Sequence, residues 1–313
     1  MKNWLKVLIF AVFAMVLMAG CSTKAPGTSE EPATSGEKAP ATDSIKLGLS
    51  ISTLNNPFFV TLKEGAEAEA KKQGIQITTI DAQNDPAKQI SDIEDLIQQG
   101  VSALIINPTD SAAVVSAIES ANNAGIPVIT VDRSAEGGEV VAHIASDNAA
   151  GGKMAGEFIL ETLGNKGKIV ELEGIPGSSA ARERGEGFHS AVDGVEGVKV
   201  VAKQAADFDR AKGLTVMENI LQGNKDIQAV FAHNDEMALG ALEALAAAGL
   251  KDVLVVGFDA TEDAVKAVED GRMGATVAQK PDLIGQKGVE TAISVIKGEK
   301  VEEFIPVELE LIK

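Results

Sequence analysis

The chain has 313 residues, and its 28 basic side chains are outnumbered by 46 acidic ones, for a formal charge of −18 at pH 7. Such an acidic surface repels phosphate backbones and argues against DNA or RNA as partner. Cys21 is the only cysteine, which excludes a disulfide within the chain and leaves the fold to stand on packing alone.

Lys2 and Lys6 open the chain, and Val7 to Met18 follows as an apolar run of signal-peptide length, short for a membrane span. Leu17-Met18-Ala19-Gly20-Cys21 resembles a bacterial lipobox, in which the leader is cut before a cysteine that then carries lipid. The pattern places Leu three residues before that cysteine; here Met18 holds the position and Leu17 is one further out. Residues 1–20 are expected to be a lipoprotein signal peptide, and their removal takes away two lysines and leaves a formal charge of −20. Residues 21–43, rich in Ser, Thr, Pro, Gly, Ala and Glu, read as a disordered tether that spans about 25 Å as a flexible coil. The only tryptophan, Trp4, falls in the leader, and tyrosine is absent.

From residue 45 the chain alternates between two periodicities. Strands are expected at 45–52, 75–80, 102–106, 127–131 and 140–145, with helices at 57–72, 87–99 and 111–123. The pattern then restarts: a helix at 152–163, with Asn148 as the expected N-cap, a strand at 168–172 and a helix at 180–192. Strands at 198–202, 229–232, 253–257 and 275–278 follow, each leading into a helix, and 301–312 reads as extended. Strands separated by helices of 10–16 residues mean βαβ units and parallel sheets. About ten strands are too many for one comfortable open sheet, so two sheets of five or six are expected.

In open parallel sheets ligands bind beyond the carboxyl ends of the strands. Those ends carry Asn56 with Phe58 and Phe59, then Asn107, then Asp132 and Arg133. In the second half they carry Phe208, Asn234, Phe258 with Asp259, and Gln279. Hydroxyl groups both donate and accept, so a neutral polyhydroxylated ligand needs this mixture of carboxylates, amides and guanidinium, with flat rings for its C–H faces. Taken singly, each has a simpler role: Asn56 and Asn107 as turn formers or caps, Asp132-Arg133 as a surface ion pair, Phe258 as core. Their recurrence at strand ends in both halves favours one shared cleft. No phosphate loop, dinucleotide fingerprint, nucleophile elbow or metal-ligand spacing is present, so neither a cofactor nor a metal is expected and an enzyme is disfavoured.

Long runs then identify a family. Ser52-Thr53-Leu54-Asn55-Asn56-Pro57-Phe58-Phe59, Ile106-Asn107-Pro108-Thr109-Asp110-Ser111, His143-Ile144-Ala145-Ser146-Asp147-Asn148 and Asn234-Asp235-Glu236-Met237-Ala238-Leu239-Gly240-Ala241 closely resemble the ribose-binding proteins of bacterial ABC sugar importers. So do the stretches Ser179 to Phe188 and Ala206 to Arg210, and the resemblance covers residues 44–313. It implies an α/β fold of two similar lobes, each a parallel sheet flanked by helices, joined by a three-strand hinge. The lobes would comprise residues 44–146 with 280–307, and 147–279 with 308–313. It implies that D-ribose lies between them, held by Asn56, Asn107, Asp132, Arg133, Arg184, Asn234, Asp259 and Gln279 and enclosed by Phe58, Phe59, Phe208 and Phe258. Arg184 enters this set through the resemblance alone, since a charged side chain within an expected helix is by default solvated. His233 and Ala260 depart from the residues common at their positions, Gln and Gly. The partners implied are an ABC permease and, through lipid on Cys21, the outer face of a cell membrane, Gram-positive by inference; a monomer is expected. Alternatives within the class are allose or another monosaccharide as ligand, and a role as chemoreceptor partner. Outside it stand a LacI-type regulator, disfavoured because a leader replaces the DNA-binding helices, and an enzyme on the same frame.

Overall fold

The computed structural model describes residues 45–313, so the leader, Cys21 and the tether lie outside the described residues. The first half of the chain supplies β1 (Lys46–Ile51), α1 (Pro57–Gln73), β2 (Gln76–Asp81), α2 (Pro86–Gln98), β3 (Ala103–Ile106), α3 (Val115–Asn123), β4 (Val128–Val131) and β5 (Ala142–Ser146). The second supplies α4 (Asn148–Leu163), β6 (Gly167–Glu173), α5 (Ser179–Val192), β7 (Val198–Ala205), α6 (Arg210–Gly223), β8 (Ala229–Ala232), α7 (Asp235–Ala247), β9 (Leu254–Asp259), α8 (Glu262–Glu269) and β10 (Ala275–Ala278). Then come α9 (Pro281–Ile296), β11 (Phe304–Val307) and β12 (Glu310–Ile312).

These strands form two sheets of six, in the orders β11-β5-β4-β3-β1-β2 and β12-β10-β9-β8-β6-β7. Every pairing is parallel except that of β10 with β12. The chain passes from the first sheet to the second after β5. It returns with α9, which packs on α1, β3 and β4, and passes over again between β11 and β12.

Both faces of each sheet are covered, which is why the strands read as nearly unbroken apolar runs. In the first sheet Leu47, Leu49, Ile105 and Ile129 face Phe58, Leu62 and Ala66 of α1 and Ile284 and Val289 of α9. Leu104, Ile106 and Val128 point the other way, onto Ile93 and Leu96 of α2 and Ile118 of α3. The second sheet repeats the plan with Val170, Leu172 and Val230 on one side and Ile169, Phe231 and Val256 on the other.

Three expectations need correction. Among the described residues the strands number twelve, because 301–312 forms two strands that join different sheets. The third helix begins at Val115, not at 111. Asp110 accepts the N–H groups of Ala112 and Ala113, while the N–H and C=O of Ser111 are taken by Gly177 and Glu136, so 111–114 is held as a turn. Asp147, not Asn148, caps α4, accepting the N–H of Ala150 at 2.8 Å, because the Asn148 amide is engaged with α5. Arg184, which the resemblance assigned to the site, is buried, at only 3 % exposure.

Candidate ligand-binding site

The loops after β1 and β4 face those after β6, β7, β8 and β9 across a small cavity. It is narrow, and it is lined by Asn56, Phe58, Phe59, Asp132, Arg133, Ala180, Arg184, Phe208, Asn234 and Asp259. Nine residues singled out in the sequence are therefore brought together around one space, with Ala180 as the addition. The other three stand directly behind. Asn107 donates to an Asp132 oxygen at 3.2 Å, Gln279 donates to Asp259 at 2.9 Å, and the ring of Phe258 lies 3.8 Å under the Arg184 guanidinium.

Local structure explains how these side chains are aimed. Asn56 is the N-cap of α1: its oxygen accepts the Phe58 N–H at 2.9 Å, which leaves its NH₂ group for the cavity. Asn234 caps α7 in the same way, accepting from Met237 at 3.0 Å, and donates to the Phe208 carbonyl. Asp132, Phe208 and Asp259 have φ of 62°, 60° and 122°, a region that non-glycine residues avoid and that costs of order 1–3 kcal/mol each. The strain turns each side chain off its strand and into the cavity. Asn107 has no capacity left for a ligand. Its oxygen accepts from the Ser52 N–H and hydroxyl, and its NH₂ donates to the Val131 carbonyl and to Asp132.

The charges form two buried pairs, Arg133 with Asp132 and Arg184 with Asp259, each at 3.7 Å. Burial is the dominant influence on them. It raises both carboxyls from their ordinary values, Asp259 the more, against the pull of the guanidinium groups, and lowers Arg133 to about 10, still protonated at neutral pH. Each Asp gives one oxygen to an amide and keeps the other. The Arg133 Nε and the Gln279 Oε1 are buried with no hydrogen-bond partner among the described residues. Arg133 also lies over the rings of Phe59, at 5.0 Å, and Phe208, at 5.1 Å. The site is thus neutral in sum, rich in unspent donors and acceptors, and walled by aromatic rings. A larger surface groove of about 1360 Å³ beside α7 and α8, lined by Leu239, Leu242 and Leu250, lacks such convergent buried polar groups.

The family model of a periplasmic binding protein domain matches residues 47–300. A curated relative, the ribose import binding protein of Bacillus subtilis, is 55 % identical, and the match covers 97 % of each chain. The ribose import binding protein of Escherichia coli is 58 % identical over 90 % of this chain and 94 % of its own. Among solved structures, an ABC transporter solute-binding protein from Mycobacterium smegmatis with bound glycerol superposes with a TM-score of 0.83 at 39 % identity, covering 86 % of this chain and 94 % of that one. The chain belongs to the periplasmic binding protein family. It is a binding protein, not an enzyme.

Several residues that support the site of this periplasmic binding protein carried no signal in the sequence. Arg184 reaches the cavity because α4 and α5 pack backbone to backbone. A Cβ at Gly152 would strike the Arg184 carbonyl, and one at Gly187 would strike the Ala149 carbonyl. Its guanidinium then donates to the Asn148 oxygen at 2.9 Å and to the His233 carbonyl at 2.7 Å. The His233 ring is fully buried and 3.0 Å from Glu171, which also meets His189 at 2.9 Å. Burial lowers the pKa of His233 and keeps it neutral. For Glu171 burial works upward, but the hydrogen bond with His233 and the charges of His189 and Lys203 outweigh it and hold the carboxyl low. Gly174 makes room for Phe208, whose ring a Cβ there would overlap.

Proposed function

We propose that this protein captures D-ribose between its two sheet-centred lobes and delivers it to the permease of an ABC importer. The observation that carries the reading is the cavity itself. Two Asp–Arg pairs of zero net charge, each with unspent hydrogen-bonding capacity, are walled by Phe58, Phe59 and Phe208 in a space suited to one small neutral polyol. A carboxylate accepts from one sugar hydroxyl while a guanidinium donates to the next, and the rings cover the C–H faces. The ribose import binding proteins of high identity support ribose over other sugars. All twelve sequence-predicted residues take part, nine in contact and Asn107, Phe258 and Gln279 as the layer that orients them. The lobes, 44–146 with 280–307 and 147–279 with 308–313, close by rotation about the three crossings.

The test is calorimetric titration with D-ribose and, in parallel, allose, arabinose, xylose, galactose and 2-deoxyribose, since a chain with no tryptophan beyond the leader gives little intrinsic fluorescence. One-to-one binding of ribose is expected. 2-Deoxyribose should bind at least ~100-fold more weakly, because a missing hydroxyl strands a buried charged group. Equal binding of both, or heat from another sugar alone, would overturn the ribose assignment.

The protein works outside the cytoplasm, tethered to the membrane by lipid on Cys21. The lipobox-like run and the polar residues 22–43 support this. In cells, Cys21→Ser should move the protein from the detergent phase to the aqueous phase. An unchanged distribution would argue against the anchor.

A further inference from the structure

Beside the sugar cavity, the two sheets' loops touch each other directly through residues that face no ligand. Ser134 follows Arg133 in the loop after β4, and its N–H donates to the Ser179 hydroxyl at the start of α5 at 2.9 Å. The Ser134 carbonyl accepts from the Ser111 hydroxyl at 2.7 Å, and the Ser111 N–H crosses to the Gly177 carbonyl at 2.9 Å. Glu136 donates its N–H to the Ser111 carbonyl and crosses with its carboxylate to Arg182, 2.8 Å away. Arg182 in turn donates to the Gly177 carbonyl at 3.2 Å. Three links therefore cross between the sheets, two of them hydrogen bonds and one an ion pair; Ser111 is bonded to both Ser134 and Glu136 on one side, and Arg182 to Gly177 on the other. The fit is close: a Cβ at Gly177 would strike the Asp110 carboxylate.

The rim formed by the loops after β1, β2 and β7 differs. There the two halves enclose a polar vestibule of about 640 Å³, lined by Asn55 and Asn84 on one side and Asp207, Asp209 and Arg210 on the other. It shares Asn56, Phe59, Arg133 and Phe208 with the sugar cavity. One rim is latched by protein and the other gives access to the ligand.

We propose that Ser111, Ser134 and Glu136, with Gly177, Ser179 and Arg182, form a clasp that sets the affinity and lifetime of the sugar complex without touching the sugar. The inference rests on the closing of two lobes over ribose proposed above. Links that exist only when the lobes meet stabilise the closed state in the presence or absence of ligand. Apparent affinity scales with the fraction of protein in the binding-competent state. The sequence position of the clasp couples it to the ligand, since Ser134 adjoins Arg133 and Ser179 adjoins Ala180.

The experiment uses the full chain, with ribose affinity by calorimetry, ribose dissociation by chase of radiolabelled sugar, and melting of the unliganded protein. Ser179→Ala removes the acceptor of the Ser134 N–H but leaves the helix cap, Ser178, in place. It is expected to weaken ribose binding roughly tenfold, since a partly buried donor loses its partner. The change should lie in faster dissociation, with the unliganded melting temperature unmoved. Arg182→Ala, at a half-exposed ion pair, should give about a threefold effect of the same kind. The preference among ribose, allose and 2-deoxyribose should be preserved in both variants, because no sugar contact changes. Ribose binding by the wild type with unchanged affinity in both variants overturns the clasp alone. So does a lower unliganded melting temperature with an unaltered dissociation rate. Absence of ribose binding in the wild type overturns the proposed function and the clasp with it.

Discussion

The two Asp–Arg pairs of the cavity have the same separation and the same burial, yet they are supported in different ways. Asp132 and Arg133 are adjacent in sequence. A single left-handed residue aims the pair, and the layer behind it is neutral: Asn107 with Ser52, and Gln89, which donates to the Asn107 carbonyl at 2.9 Å. Arg184 and Asp259 come from α5 and β9, and the layer behind them is ionisable: His233 on Glu171, and Asp235, fully buried against Thr261 and Thr276. Equal geometry at a ligand therefore does not imply equal dependence on the rest of the fold. Among the described residues the Arg133 guanidinium has one protein hydrogen bond, to the Pro108 carbonyl at 3.3 Å, whereas that of Arg184 has two short ones and a ring beneath it. The first guanidinium is held for the ligand; the second also holds its own half of the protein together.

The sharpest way to break this comparison is to remove each guanidinium. Arg133→Ala should abolish measurable ribose binding while the unliganded melting temperature stays within a few degrees of wild type. Arg184→Ala should also abolish binding and in addition lower melting by roughly 10 °C, the scale of breaking a buried pair in a domain of this size. Equal melting of the two variants would show that the pairs are supported alike. Calorimetry that found wild-type affinity in Arg133→Ala would return Asp132-Arg133 to the status of a structural ion pair.

A smaller effect is expected from the neutral layer. Asn107→Ala leaves the Ser52 hydroxyl and Asp132 without their shared partner and should weaken ribose binding by roughly 30-fold. The loss should be the same at pH 6 and pH 8, since Asn107, Ser52 and Gln89 do not titrate. A pH-dependent loss would mean that the layer acts by tuning Asp132 rather than by placing it.

The smallest effect sharpens the contrast through pH. Burial raises Asp235 to about 7, against the hydrogen bonds from Thr276 and Thr261, and raises Asp259 as well. His189 is lowered by burial, but its contacts with Asp193 and Glu171 outweigh that and raise it on balance. Each of these groups binds its proton more tightly in the folded protein than in the unfolded chain. The stability they contribute is present below their unfolded values and is lost as pH rises through the folded ones. Only Asp132 behaves this way among the site groups of the first half. His143 and His233, both lowered by burial, work the other way between pH 6 and pH 8, so the test is a difference between variants. Asp235→Asn should melt relatively higher at pH 8 than at pH 6 when each value is compared with wild type at the same pH. An identical pH dependence in the two proteins would contradict the assignment.

How much of this could be read from the sequence follows the same division. Asn56, Phe58, Phe59, Asp132 and Arg133 are clustered where a strand ends, so position alone marked them. The alternation of strands and helices likewise revealed two parallel sheets, because strands covered on both faces must be continuously apolar. Arg184 was invisible to that reasoning. Its burial depends on glycines in two helices that let α4 and α5 meet, and no local pattern announces such a contact. Glu171 and its pairing with His233 escaped for a similar reason, the two being 62 residues apart in the chain and joined only by the fold. Ala180 lines the cavity without any polar atom to betray it. The expected helix at 111 failed because Ser111 answers to Gly177, a residue in the other half.

The last two strands have a consequence for how the molecule is made. β11 completes the first sheet and β12 the second, and both lie between residues 304 and 312. Neither half is finished until residues 304–312 have left the ribosome, and the long-range pairing of β11 with β5 must wait for them. Until then each sheet stands one edge strand short, so the two halves reach their final form together.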